Sequence, residues 1–128
     1  MAFKYEILSK RIIRGFYNVY NNLGYGFLEK VYENAFFIEL SKLGLNCEKQ
    51  FPIKVIYDGK EVGEYYADII VENKIILELK AAENLCEQHE YQLINYLKAS
   101  NIEIGYLFNF GKKAEFRRKI FSNWRKSV

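Results

Sequence analysis

Apolar residues recur along this 128-residue chain first at helical spacing and then at strand spacing. Residues 4–22 are predicted to form a helix, which the Asn- and Gly-rich stretch after it would end. Its apolar face comprises Leu8, Ile12, Phe16 and Val19. A second helix is predicted over residues 27–43, with Gly44 as its C-terminal cap. The apolar stripe expected on this second helix comprises Leu28, Val31, Ala35, Ile38 and Leu43.

The middle of the chain changes to strand-like patterning. Strands are predicted over residues 47–57, 62–71 and 75–79, with turns at Asp58-Gly59 and at Glu72-Asn73-Lys74. A helix over residues 85–100 follows, with Leu93, Ile94 and Leu97 toward the core, and then a buried strand over residues 104–110. The pattern after Gly111 fits a short strand or a helix equally well.

The element order is therefore ααβββαβ. An antiparallel meander followed by a helix and a further strand predicts an α/β (α+β) fold, with a central mixed sheet flanked by helices. Pro52 lies inside the first strand and favours a position at the edge of the sheet. No linker, repeat or low-complexity stretch interrupts the chain, so a single domain over residues 1–128 is expected.

Composition narrows the class of protein. Half of the residues are hydrophobic and 27% are charged, which indicates a globular domain. The two cysteines, Cys47 and Cys86, are far apart, which excludes a four-thiolate zinc or iron–sulfur site and favours a reducing compartment. Because no run approaches 18 apolar residues and the N-terminus lacks a signal-peptide core, we expect a cytoplasmic protein without a membrane partner.

Positive charge is concentrated at the end of the chain. The net charge is +3, and the stretch after Gly111 contains seven Lys or Arg residues and one acid, Glu115. Such a basic tail on an acidic body fits a surface that follows nucleic-acid phosphates, although an ordinary solvated surface explains it equally well. The candidate phosphate-binding residues in this tail are Lys112, Lys113, Arg117 and Arg118.

The strands around the second turn contain the strongest chemical signal. Strand alternation predicts one wholly apolar face, made of Ala67, Ile69, Val71, Ile75, Leu77 and Leu79. The other face contains Asp68, Ile70, Ile76, Glu78 and Lys80. A three-residue turn pairs Val71 with Ile75, and counting back from this pair places Asp68 opposite Glu78.

Two carboxylates in cross-strand positions repel each other unless one is protonated or a cation lies between them. Oxygen ligands at such a separation suit Mg²⁺. Lys80 lies on the same face and could orient a water or stabilise negative charge on phosphorus. The alternative is an ordinary hairpin with its polar face in solvent. Ile70 and Ile76 share that face, which favours a half-covered surface over a fully solvated one.

Asp68 together with Glu78-Leu79-Lys80 resembles the D…(D/E)xK core of the PD-(D/E)xK nuclease superfamily, with Ala67 where the pattern often has proline. The segment from Gln92 to Tyr96 resembles the QxxxY element of related nucleases. The segment from Gly24 to Tyr32 is similar to the signature of the GxxExxY proteins of this superfamily, matching at Gly26, Glu29 and Tyr32. The likeness continues through Tyr57-Asp58-Gly59 and Asn109-Phe110-Gly111 and covers roughly residues 10–120.

The resemblance implies a restriction-endonuclease-like core that hydrolyses nucleic-acid phosphodiesters with Mg²⁺ or Mn²⁺, DNA being the expected substrate. The metal ligands would be Asp68, Glu78 and the Leu79 backbone carbonyl, with Glu29 completing the acidic cluster. Lys80 would position the attacking water, and Gln92 and Tyr96 would support the site.

Three points stay open at the level of sequence. The only histidine, His89, precedes Gln92 by three residues and could contact DNA, assist proton transfer or fill a structural role. The fold could also serve an inactive nucleic-acid-binding module or a protein-interaction domain. A homodimer is a further alternative that the sequence does not decide.

Overall fold

The computed structural model describes residues 3–126, and two helices and a β-hairpin come first along the chain. The elements, in chain order, are α1 (Glu6–Leu23), α2 (Glu29–Lys42), β1 (Cys47–Tyr57), β2 (Lys60–Val71), β3 (Ile75–Lys80), α3 (Glu87–Lys98), β4 (Ile104–Asn109), β5 (Glu115–Ile120) and a 3₁₀ turn, Asn123–Arg125. The stretch after Gly111, ambiguous in sequence, forms β5. In the described range, none of the helices has the length and apolarity to cross a membrane.

The five strands form one mixed sheet in the order β1-β2-β3-β4-β5. All neighbouring pairs are antiparallel except β3 and β4, which run parallel and are joined through α3. β1 lies at the edge, as the position of Pro52 predicted. The mixed α/β fold with flanking helices is therefore confirmed, and its topology is consistent with a restriction-endonuclease-like core.

Two hydrophobic cores lie on opposite faces of the sheet. The first, between α1, α2 and the sheet, is dominated by aromatic rings that include Phe16, Tyr32, Phe36, Phe108 and Phe110. The second lies under α3 and contains Ile70, Ile76, Leu93, Leu97 and Leu107. Ile70 and Ile76 are thus fully buried because α3 packs over them, whereas Asp68 and Lys80 on the same face are half-buried. Strands covered on both sides explain the unbroken apolar runs of β3 and β4.

The apolar stripe predicted for α2 is wrong at three of its five positions, whereas Ala35 and Leu43 pack against the core as expected. Leu28, Val31 and Ile38 are exposed, and the buried apolar residues are instead Tyr32, Phe36 and Leu40. Apolar residues occur on several sides of this helix, so its periodicity does not select one face. The aromatic cluster with α1 selects the face, since Phe36 packs against Phe16 and Phe108, and Tyr32 stacks on Phe110.

The predicted position of Ala67 is also wrong. Ala67 packs in the α3-side core, whereas Ile69, two residues later, packs in the α1/α2-side core. The partner strand changes sides at the same level, since Lys49 bonds Asn34 of α2 while Phe51 packs toward α3. Gln50, between them, has a left-handed backbone with φ of 54°. A local twist at Gln50 and Asp68 therefore interrupts the alternation on which the prediction relied.

The turn between α1 and α2 is closed by Tyr32. Its hydroxyl donates to the Gly24 carbonyl oxygen at 2.7 Å and accepts the Phe27 N–H at 3.2 Å. Gly24 and Gly26 adopt positive φ angles of 69° and 111°, which glycine accommodates without strain. The glycine and tyrosine positions of this segment thus shape the turn that precedes Glu29, the first residue of α2.

Hydrogen bonds of the Asn109 side chain fix the loop that follows β3. The fully buried amide of Asn109 accepts the Ala82 N–H and donates to the Ala82 carbonyl oxygen, both at 2.9 Å. Its oxygen also accepts the Gly111 N–H at 3.1 Å. A Cβ atom on Gly111 would lie 1.8 Å from the Ala82 oxygen, so the backbone approach requires glycine. Asn109 and Gly111 therefore fix the path of the chain just beyond Lys80.

Gly111→Ala is expected to lower the free energy of unfolding by about 3 kcal/mol, because the added methyl group meets backbone that cannot rotate away. Urea denaturation followed by circular dichroism measures the change. Gly63→Ala is the matched control, since its Cβ would have only one ordinary contact, at 3.8 Å from the Tyr65 ring. That variant should change stability by less than about 1 kcal/mol. Equal effects of the two substitutions would contradict the requirement for glycine at position 111.

Candidate active site

The candidate site lies where β2 and β3 stop pairing. The register Val71↔Ile75 is as predicted, and strand pairing continues to Ile69↔Leu77. One residue further, the Asp68 N–H donates to Glu78 Oε1 at 3.0 Å and the Leu79 N–H donates to Asp68 Oδ2 at 2.8 Å. The structure therefore brings Asp68 and Glu78 together, through a reciprocal exchange of side-chain and backbone hydrogen bonds in place of a regular ladder.

Burial makes this pair of carboxyls electrostatically unusual. Glu78 is only 4% exposed, and burial, followed by the charge of Asp68, raises its pKa to about 8. Burial is also the main cause that raises the pKa of Asp68, and Glu33 and Glu29 contribute repulsion. Each carboxyl uses one oxygen for a backbone N–H, so the second oxygen is left to another partner. Two adjacent acids held above their ordinary pKa favour a proton or a cation between them.

Lys80 follows Glu78 at the end of β3 and is half-buried. Its positive charge lowers the pKa of both Asp68 and Glu78, which places the ammonium group near the pair. Within residues 3–126 it forms no ion pair shorter than 4.0 Å. The ammonium group is thus near both carboxyls without being bound to either.

Helix α3 contributes a phenol and an amide to the same region. Gln92 donates from Nε2 to the Tyr96 hydroxyl at 3.0 Å. Burial, and then the charge of Glu78, raises the pKa of Tyr96 to about 12. The hydroxyl therefore stays protonated at neutral pH and available as a hydrogen-bond donor beside the carboxyl pair.

His89 lies one turn before Gln92 and is half-buried. Its Nδ1 accepts the Cys86 N–H at 3.3 Å, which closes the N-terminus of α3. Its pKa is lowered by burial and by the charge of Lys80. The histidine therefore has a capping role and also lies close to Lys80. The assignment of His89 to nucleic-acid contact stays a prediction.

Glu29 and the overlooked Glu33 approach the site from α2. Glu29 is exposed at the first helical position and raises the pKa of both carboxyls of the pair. Glu33, one turn later, is 4% exposed and accepts hydrogen bonds from Lys30 and Gln50, both at 2.8 Å. Sequence reasoning missed Glu33, although its spacing of four residues from Glu29 places both acids on one helix face. Its bond to Gln50 ties α2 to the twist beside Asp68.

The basic residues of the tail divide into two groups. Lys112 and Lys113 are exposed in the turn after β4, at the sheet end where Lys80 pairs with Asn109. Arg117 is instead paired with Glu90 of α3 at 3.1 Å, and the Arg118 guanidinium lies 4.5 Å from the Phe3 ring centre. Phosphate contact by all four remains a prediction. Among the described residues Lys112 forms no ion pair, and Lys113 is paired with Glu115 only at 3.9 Å.

The donor set fits a hard divalent cation. Asp68 and Glu78 each have an oxygen beyond those bound to backbone amides, and neither has a bonded cationic partner in the described chain. In residues 3–126 no three His, Cys, Asp or Glu side chains are grouped as a complete metal site. A bound ion would therefore need water or substrate among its ligands, as Mg²⁺ commonly does.

Comparison with known proteins agrees with this geometry. The family model described as the PD-(D/E)XK nuclease superfamily matches residues 6–119, nearly the whole chain. The chain therefore belongs to the PD-(D/E)XK nuclease superfamily. Members of this superfamily generally use divalent metals. A search of curated protein sequences finds no matching relative.

Among solved structures, the crystal structure of SSO0001 is similar to this chain, with a TM-score of 0.61 and 20% sequence identity. The match covers 93% of this chain and 61% of that one, so this chain corresponds to only part of the other protein. At this identity the likeness supports the fold alone.

Stability should depend on pH through Glu78. Because its folded pKa of about 8 exceeds its ordinary value of 4.5, the folded state keeps a proton that the unfolded state releases. In chelator, the melting temperature should therefore fall as pH rises from about 4.5 to 8. Glu78→Gln should remove most of this slope, as measured by thermal scans at several pH values.

His89 has a lowered pKa and contributes a slope of opposite sign, but it is unchanged between wild type and variant. Glu48→Gln, which removes an exposed carboxyl on β1, should leave the slope as in the wild type. A wild-type melting temperature that rises through this window, or a slope in Glu78→Gln equal to that of the wild type, would contradict the assignment.

Proposed function

We propose that this chain is a metal-dependent nuclease that hydrolyses phosphodiester bonds, with Mg²⁺ or Mn²⁺ as its cofactor. The observation that supports this most strongly is the reciprocal Asp68–Glu78 arrangement, which places a buried and a half-buried acid together beside Lys80. A structural hairpin gains nothing from such a pair, since burying two like charges costs free energy unless they are neutralised.

In this proposal Asp68, Glu78 and the Leu79 carbonyl hold the cation, and Glu29 binds it directly or through water. When bound, the ion supplies charge stabilisation at the phosphate and a more acidic water. The Lys80 ammonium orients the attacking water and offers positive charge to the non-bridging oxygens. Gln92 holds the Tyr96 hydroxyl beside Glu78. The phenol can then accept a hydrogen bond from Lys80 or donate one to a phosphate oxygen.

The finer identity of the enzyme is also proposed. The Gly26, Glu29 and Tyr32 positions support membership in the GxxExxY group, because in the structure they shape the α1–α2 turn and begin the helix beside the site. DNA is the proposed substrate, and exposed Lys112 and Lys113 are placed to contact its backbone. One domain over the whole chain and a cytoplasmic location complete the proposal.

Cleavage assays test the mechanism. With Mg²⁺ or Mn²⁺, the protein should cut members of a labelled DNA and RNA panel, and Lys80→Ala and Asp68→Ala should each lower the rate by about a hundredfold or more. Lys74→Ala is the matched control, because Lys74 is an exposed lysine on the same hairpin, in the turn between β2 and β3. Cleavage that persists undiminished in both site variants would reject the mechanism.

Metal binding separates an active nuclease from an inactive nucleic-acid-binding module. Isothermal titration with Mn²⁺ should show one site in the wild type that is lost in Asp68→Ala and retained in Lys80→Ala, since only the former removes a ligand. Circular dichroism would verify that both variants are folded. A protein that binds DNA but takes up no Mn²⁺ would favour the inactive module.

A homodimer is a second proposal, supported by the β1–β2 hairpin. This hairpin extends beyond β3 and exposes Ile56, Tyr57 and Val62 near its turn. Exposed apolar side chains clustered on one element commonly mark an interaction surface. Sedimentation of the intact chain would distinguish a dimer from a monomer, and monomers at all concentrations would remove the proposal.

A further inference from the structure

A groove of about 1050 Å³ runs between α3, the β1–β2 hairpin and the C-terminal segment. The carboxyl pair does not line it, but the two are adjacent: His89, Gln92 and Tyr96 line the groove, and so does Tyr65, which precedes Asp68 on β2 by three residues. The pKa of Tyr96 responds to Glu78, and that of His89 responds to Lys80. A polymer lying in the groove would therefore reach the candidate site at one end.

The charge of the groove favours an anionic occupant. Its lining includes Lys98, Arg125 and Lys126 and, among the described residues, no Asp or Glu. Lys98 and Arg125 are exposed, and their cationic groups lie 5.5 and 4.5 Å from the ring centre of Phe121. This ring therefore holds two positive charges at the groove wall. The Lys126 ammonium group instead donates to the carbonyl oxygens of Ser100 and Ile102. It therefore adds positive charge to the groove, but these bonds fix its position.

The groove also presents aromatic rings that core packing does not require. Tyr65 of β2 and Tyr91 of α3 line it and are 51% and 60% exposed. Tyr65 lies 5.8 Å from Tyr96, centre to centre, so the row of rings extends to the site. Cationic side chains interleaved with exposed aromatic rings are the pattern by which proteins bind single-stranded nucleic acid, where phosphates pair with the cations and unpaired bases stack on the rings.

Resting on the proposed nuclease function, we infer that this groove binds a single-stranded segment of the substrate and leads it to Asp68 and Glu78. Unpaired bases stack on Tyr65 and Tyr91, and Lys98 and Arg125 contact the phosphates. A regular duplex presents only its phosphates to such a surface, because its bases are already stacked on one another. The groove therefore selects single strands, such as frayed ends, flaps or loops.

Fluorescence anisotropy in excess chelator tests binding without cleavage. The probes are a labelled oligothymidylate, an abasic strand of equal length and charge, and a duplex of the same length. The wild type should bind the oligothymidylate about tenfold more tightly than the abasic strand. Tyr91→Ala and Tyr65→Ala should each weaken oligothymidylate binding by about tenfold and leave abasic binding unchanged. An oligouridylate arm shows whether RNA is accepted equally.

Further variants separate base stacking in the groove from other effects on affinity. Tyr66 is 50% exposed on the same strand as Tyr65 but does not line the groove, so Tyr66→Ala should not change affinity. Lys98→Ala and Arg125→Ala should weaken both single strands alike and reduce the salt dependence of binding, since they remove phosphate contacts. Tyr91→Ala alters an exposed helix position, so it tests the groove even if Tyr65→Ala fails to fold.

Equal affinity of the wild type for the oligothymidylate and the abasic strand would overturn the inference, as would tightest binding to the duplex. It would also fall if Tyr91→Ala changed only the sedimenting mass, which would assign the surface to a second copy of the chain. The proposed function is tested separately. Base-dependent binding without any cleavage would retain the groove and reject the nuclease, whereas duplex cleavage without base-dependent binding would do the reverse.

Discussion

The site depends on one exchange of hydrogen bonds, in which the side chains of Asp68 and Glu78 satisfy backbone amides at the point where two strands part. Backbone N–H groups left without partners inside a protein are costly. Here the carboxyls accept the N–H groups of Asp68 and Leu79, which lets β2 leave β3 while Glu78 remains buried and Asp68 half-buried. The same geometry leaves one oxygen of each acid without a backbone partner.

Three contacts away from the acids keep this divergence in place. Glu33 of α2 bonds Gln50, whose left-handed backbone accompanies the twist of β1 and β2. Asn109, buried in β4, holds the loop after Lys80 through both polar atoms of its amide. Tyr32 closes the turn that leads into the first residue of α2. Because these contacts come from separate elements, the site is supported on several sides.

The chain belongs to the PD-(D/E)XK nuclease superfamily, whose members generally use divalent metals, and a bound cation would explain why two acids lie side by side. A carboxyl such as Glu78, with a pKa of about 8, is destabilised as an anion, and a divalent cation relieves that cost on binding. Lys80 is close enough to lower the pKa of both acids without an ion pair to either, so its ammonium group is not bound by the carboxyls. In the function proposed above, the acidic centre would hold the metal ion and the cationic groove beside α3 would hold the nucleic acid.

The sequence by itself determined the element order as far as β4, the pairing of Val71 with Ile75, the edge position of the strand that contains Pro52, and the proximity of Asp68 and Glu78 on neighbouring strands. These follow from local rules, since alternation, turn length and proline chemistry act over a few residues. Short motifs spaced along the chain also pointed to the family. The roles assigned to individual site residues stay predictions.

Only the tertiary structure decided which side of α2 is buried and where Ala67 packs. It also showed that Glu33 is buried near the site and bonds Gln50. Each of these depends on contacts between residues far apart in the chain: the aromatic cluster chose the face of α2, and the twist at Gln50 reversed the alternation. The groove likewise exists only because α3 returns over the hairpin. Periodicity describes one segment at a time, whereas burial is decided by what packs against it.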